Sequence, residues 1–175
     1  EQISAVSGWY AWEGTQVFLP QGGGQFEITL GGAVEDVTRL TALPDRSELV
    51  SLSGDGRNLL AEIIGGGDLS LNLGADWGEG NVIIRGALTA HQVTSEGMML
   101  VLGEGLNVLS VDYVEGSTAG TSANEIMMGG SADDTLISQG GADVLLGGAG
   151  EDVFVLKMES AGTKVLDFDP LAEII

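Results

Sequence analysis

The 175-residue chain carries 26 Asp and Glu against 6 Lys and Arg, a formal charge of −20, so duplex DNA and anionic membrane surfaces are repelled and nucleic acid is excluded as a partner. A hydrophobic share of 43% and a mean hydropathy of +0.24 exceed what an acidic disordered chain shows, so the chain folds. Cysteine is absent, which removes disulfides, thiolate nucleophiles and Cys-ligated zinc or iron–sulfur sites, and no stretch reaches the roughly 18 to 20 apolar residues of a membrane span.

Glycine is abundant at 29 residues and proline scarce at 3, a balance that implies many turns. The chain begins at Glu1 rather than Met and reads as a processed product, a trimmed segment or the end of something larger. From there, short runs with period-two apolar alternation predict about nine strands before residue 117. They lie at Gln16 to Leu19, Phe26 to Leu30, Val37 to Leu40, Glu48 to Leu52, Leu59 to Ile64, Leu69 to Leu73, Val82 to Leu88, Met98 to Leu102 and Leu106 to Val114. Phe26, Ile28 and Leu30, like Leu69, Leu71 and Leu73, are expected on buried faces. Glycine and Pro-Asp pairs separate these runs, and Leu49 to Ile64 around Asp55-Gly56 is the clearest hairpin. No glycine-free window has helical periodicity, so no long helix is expected. Strands at this spacing predict an all-β fold whose first part, 1–117, is an antiparallel β-sandwich-like domain.

The stretch from Gly86 to Leu156 holds ten carboxylates and no Lys or Arg. Within it the chain from Gly120 divides into nines: GTSANEIMM, GGSADDTLI, SQGGADVLL and GGAGEDVFV. Position six is Glu125, Asp134, Asp143 and Asp152; position eight is Met127, Leu136, Leu145 and Phe154. Six small residues ending in an acid make a tight turn that leaves backbone carbonyls exposed. The next three, centred on a large apolar residue, make a very short strand. Coiled right-handedly, such units give two parallel sheets with eighth-position side chains between them and turns stacked on alternate edges. Each sixth-position acid then faces another two units away, with no base beside it, and the pair repel unless a cation intervenes. Oxygen donors without His or Cys suit a hard cation such as Ca²⁺.

These nonapeptides resemble the GGxGxDxUx repeat of the repeats-in-toxin (RTX, hemolysin-type) family, a calcium-binding parallel β-roll. The fourth unit fits at every diagnostic position, the second has Ala132 for glycine, the third has Ser138 and Gln139 for its first two glycines, and the first has Ala123 for glycine and Glu125 for aspartate. The resemblance implies a roll over 118–175 with Ca²⁺ as cofactor. Its metal set would be Gly129, Ser131, Asp133, Asp134, Gly147, Ala149, Glu151 and Asp152 on one edge, and Glu125, Gly141 and Asp143 in a weaker site on the other. The tail from Thr163 resembles the DFDP segment that follows the last repeat, so Asp167 is expected to close the last site, and an end at Ile175 would reflect truncation or a short C-terminus. The roll interior is expected to be Leu136, Leu145 and Phe154, with Met127 only partly covered and the sandwich as its cap.

Other residues have weaker claims. Trp9, Tyr10, Trp12 and Trp77 are weighed as a sugar platform and as packing, with packing preferred. His91, the only histidine, is assigned no role, and Gly65-Gly66-Gly67-Asp68 lacks the ending of a phosphate loop. No Ser-His-Asp set, HExxH or nucleotide motif is present, so a non-catalytic module is expected. The resemblance implies export by a type I secretion apparatus of a Gram-negative bacterium, with folding switched on by calcium outside the cell. Two roles stay open: an accessory part of a larger secreted enzyme, toxin or adhesin, its sandwich binding glycan or protein; or a self-associating structural subunit of an extracellular filament, matrix or surface layer.

Overall fold

The computed structural model describes residues 1–74, 80–86, 88–94, 97–171 and 174, with 88–94 and 97 described through their backbone. Eighteen strands and no helix occur among the described residues, so the protein is all-β. The first nine are β1 (Ile3–Val6), β2 (Trp12–Glu13), β3 (Gln16–Val17), β4 (Ile28–Leu30), β5 (Arg39–Ala42), β6 (Glu48–Gly54), β7 (Leu59–Ile64), β8 (Gly67–Asn72) and β9 (Asn81–Arg85). Three longer strands follow, β10 (Leu88–Thr94), β11 (Gly97–Leu102) and β12 (Leu106–Val114). The last six are short: β13 (Thr118–Ala119), β14 (Glu125–Met128), β15 (Thr135–Ser138), β16 (Val144–Leu146), β17 (Val153–Leu156) and β18 (Lys164–Val165).

The chain divides into two compact units, Glu1–Asp76 with Ala87–Ser110, and Trp77–Gly86 with Val111–Ile175. The second unit therefore takes in, besides the repeats, β9 and the end of β12, which precede residue 118.

The named strands of the first unit pair antiparallel. One sheet runs in the order β10-β11-β8-β5, with Leu100 opposite Leu69 and Leu40 opposite Leu71. All four of these leucines are buried, while Ser70 and Asn72 between them are half-exposed, as period two requires. The β6–β7 hairpin pairs Gly54 with Leu59 and Glu48 with Ile64, burying Leu59, Ala61 and Ile63 and exposing Leu60 and Ile64. Its turn is closed by Asp55, whose Oδ1 accepts the Arg57 and Asn58 N–H groups at 3.0 and 2.7 Å. Gly56 beside it sits at φ +95°, where a side chain would be strained. Buried Asn107 holds two loops together, its Nδ2 donating to the Gly65 and Gly103 carbonyls at 3.0 and 2.9 Å.

Two expectations change, and the preferred packing of Trp9 and Trp12 is met. β4 pairs with β1 alone, and Ile28 and Leu30 are 47% and 54% exposed; ladder hydrogen bonds formed the strand without a layer to cover it. β1, β2 and β10 escape the alternation reading because the first two are too short or irregular and the third is polar in part. Trp9 and Trp12 are buried at 7% and 1% exposure, which removes them from any sugar platform. Trp9 packs on Phe26 and Arg39 lies over the Trp12 ring at 5.1 Å. Trp77 and the His91 side chain lie outside the described residues.

The second unit is a parallel roll. β14 pairs in parallel with β16, and β15 with β17, each residue meeting the one 18 positions on. One sheet is β13-β15-β17; the other continues β9-β14-β16-β18. Met127, Leu136, Leu145 and Phe154 are each fully buried and form one cluster between the sheets. Met127 is thus covered, contrary to expectation. β9 runs antiparallel beside β14 and sets Ile83 opposite Met127, so a strand of the same unit supplies the missing layer.

Candidate metal centre

Two nonapeptides make one circuit, so the turns of units two and four lie on one edge and those of units one and three on the other. On the first edge Asp134 and Asp152 are buried at 5% and 1% exposure. Asp134 Oδ2 accepts the Gly130 N–H at 2.8 Å, and Asp152 Oδ1 accepts the Asp134 N–H at 2.9 Å. Asp152 Oδ2 is buried with no hydrogen-bond partner. An orphaned carboxylate oxygen in the interior carries a desolvation cost that a cation removes.

The glycines explain why side chains are excluded around it. A Cβ at Gly148 would run into the Gly130 carbonyl oxygen, one at Gly150 into the Ala132 carbonyl, and one at Gly147 into Asp152 Oδ2. Gly148 and Gly150 also have φ of +89° and +132°, which favours glycine. Glycine at these positions thus lets one turn approach the Gly130 and Ala132 carbonyl oxygens and the Asp152 carboxylate closely. Their chemistry fits a hard divalent cation. Among the described residues no group of three or more His, Cys, Asp or Glu side chains gathers, so backbone oxygens must complete any coordination shell here.

The remaining predicted residues divide. Ser131, Asp133, Ala149 and Glu151 lie exposed in the same two turns, and Asp133 Oδ1 accepts the Glu151 N–H at 2.8 Å. Asp167 reaches this edge from the tail, its two oxygens accepting the Gly147 and Gly148 N–H groups, each at 2.9 Å. On the other edge a Cβ at Gly141 would strike the Ala123 carbonyl, but the acids there are already occupied. Asp143 accepts the Glu125 N–H at 2.9 Å and the Ser138 hydroxyl at 2.6 Å. Glu125 accepts the Thr121 N–H and hydroxyl at 2.7 Å each and forms an ion pair with Arg85 at 3.1 Å.

Arg85 overturns the expectation that no base stands beside the phased acids; it sits one residue before the base-free stretch and 40 residues from its partner. The pattern also does not reveal Thr163, whose Oγ1 accepts the Asp143 N–H at 3.2 Å, or Ser138, which stands where the repeat has glycine. Burial raises the Asp134 carboxyl above the usual carboxylate range, the Gly130 N–H pulls it part of the way back and the Asp152 charge raises it. Burial likewise raises Asp143, against hydrogen bonds from Ser138 and Glu125 that lower it.

The described residues thus form, in the second unit, an 18-residue parallel coil that stacks glycine turns over paired buried carboxylates. Residues 119–154 match the RTX calcium-binding nonapeptide repeat in four copies. RTX nonapeptide repeats bind Ca²⁺, and Ca²⁺ is the cofactor of this roll. No curated protein and no solved structure matches the chain.

Proposed function

We propose that the protein is a secreted, non-catalytic module whose second unit folds when calcium binds, and that it serves as an accessory part of a larger secreted enzyme, toxin or adhesin. The buried Asp152 Oδ2, which no hydrogen-bond donor meets, carries this reading, because a cation bound there would offset the desolvation cost of that oxygen. The proposed principal ligands are Asp134 and Asp152 with carbonyls of the 129–133 and 147–151 turns, closed above by Asp167. The edge through Glu125, Gly141 and Asp143 is the weaker one, since its carboxylate oxygens already have donors. RTX repeats occur typically in secreted proteins, which supports an extracellular site of action and passage through a type I apparatus of a Gram-negative cell, where scarce free calcium leaves the repeats unfolded. No helix among the described residues is long and apolar enough to cross a membrane. Binding of glycan or protein by the first unit belongs to the same proposal.

A second reading, a structural subunit of an extracellular assembly, is favoured by one observation. In the first unit Leu60, Ile64, Leu106 and Val108, from the neighbouring strands β7 and β12, are 45% to 62% exposed. Light scattering of the calcium-loaded protein separates the two: a monomer supports the accessory module, and long polymers support the subunit. Calcium titration followed by circular dichroism tests the folding step itself, and a spectrum unchanged on calcium addition after EGTA overturns it.

A further inference from the structure

Glu125 differs from the other sixth-position acids in what neutralises it. Its side chain is fully buried, and a buried carboxylate without a counter-charge is strongly destabilising. Arg85 supplies that charge through Nε to Glu125 Oε1 at 3.1 Å, and its Nη1 is held by Asp112 Oδ2 at 2.7 Å. β9 presents Arg85 by simple alternation: Glu125 is opposite Arg85 and Met127 opposite Ile83, and residues two apart share a face. Ile83 lies in the roll's core cluster, so this face turns inward. Asn81, next in the alternation, is fully buried, with Nδ2 donating to the Gly116 carbonyl and the Thr118 hydroxyl at 2.8 Å each. β9 therefore places an amide at one edge, an apolar residue in the centre and a guanidinium at the other edge.

We propose that Arg85 is a built-in counter-cation for the first turn of the roll. Its guanidinium takes the neutralising place that calcium takes higher up, so that β9 and β14 close without calcium and form the base on which the calcium-dependent layers stack. This role presupposes that the upper repeats depend on calcium.

Hydrogen exchange on the full chain, in EGTA and in calcium, tests it. In EGTA the wild-type amides of 125–128 are expected to be protected and those of 153–156 not, with calcium protecting the latter. Arg85→Gln should speed exchange at 125–128 in EGTA by at least about tenfold, and the double variant Arg85→Gln with Glu125→Gln, which removes the charge that needs a partner, should restore protection. Amides of β6 and β7 report that each variant is folded. Wild-type amides at 125–128 as exposed in EGTA as those at 153–156, an Arg85→Gln variant with unchanged protection, or a double variant that is not rescued would each overturn the role. Equal protection of 153–156 with and without calcium would instead overturn the calcium dependence of the repeats, and the Arg85 variants would still report on the ion pair.

Discussion

Asp152 and Glu125 occupy the same repeat position and meet opposite fates, because one carboxylate oxygen is left without a donor and the other side chain finds an arginine. Asp152→Asn should therefore weaken calcium binding by about tenfold or more, since a hard cation loses a charged ligand. Glu125→Gln should leave the calcium stoichiometry unchanged. Calorimetry checks both, and a larger loss from Glu125→Gln would show that the other edge holds the metal. Acid acts on the other two sixth-position residues. Asp134 and Asp143 bind protons more tightly when folded, because burial raises their pKa values. The metal-free roll thus gains stability as pH falls toward the carboxylate range and loses it as pH rises through the raised values. Calcium competes with those protons, so its affinity should rise over the same window. Circular dichroism in EGTA should show more β structure near about pH 4.5 than near pH 7; a flat or reversed profile would contradict this.

Among the elements, the β6–β7 hairpin responds to acid in the opposite sense. Its Asp55 carboxyl is held below the usual range, mainly by the Asn58 side-chain and backbone donors and then by the Arg57 N–H. A depressed acid contributes stability above its unfolded pKa and loses it as pH falls through the folded one. Asp55→Ala should cost about 1 kcal/mol at neutral pH and flatten the acid limb of the first unit's unfolding, followed by the fluorescence of buried Trp9 and Trp12. The parallel strands of the roll respond instead to their interior. Leu145→Asp places a charge in a fully buried cluster and should abolish calcium-induced folding, because its desolvation exceeds what one site returns. Thr135→Asp, at a half-exposed seventh position, should shift the transition only slightly. Equal effects would mean that the eighth positions do not form the core.

At the scale of the whole molecule, a charge of −20 opposes compaction until cations reduce it. Extracellular calcium modules have Kd values of roughly 10⁻⁴ to 10⁻³ M, and calcium at ~100 times Kd adds about 2.7 kcal/mol per site. The second unit should accordingly show a calcium-dependent melting temperature. The first, which contains none of the nonapeptides, should melt independently of calcium. Two transitions by calorimetry, with only one moving as calcium rises, are the expected result; a single transition that moves as a whole would show that both units unfold together.

Local pattern determined most of the roll. Phase nine places Asp152 above Asp134 and Leu136 beside Phe154 whatever the rest of the chain does, since strand pairing 18 residues apart follows from the repeat length. The all-β class and the Asp55 hairpin were legible for the same reason: alternation and turn chemistry act over a few residues. Only the tertiary structure decided that β9 closes the base of the roll, that Arg85 neutralises Glu125 40 residues away, and that β4 forms as a strand yet leaves Ile28 and Leu30 uncovered. Each of these depends on which distant backbone supplies the partner, and alternation along a strand specifies its faces without specifying what lies against them.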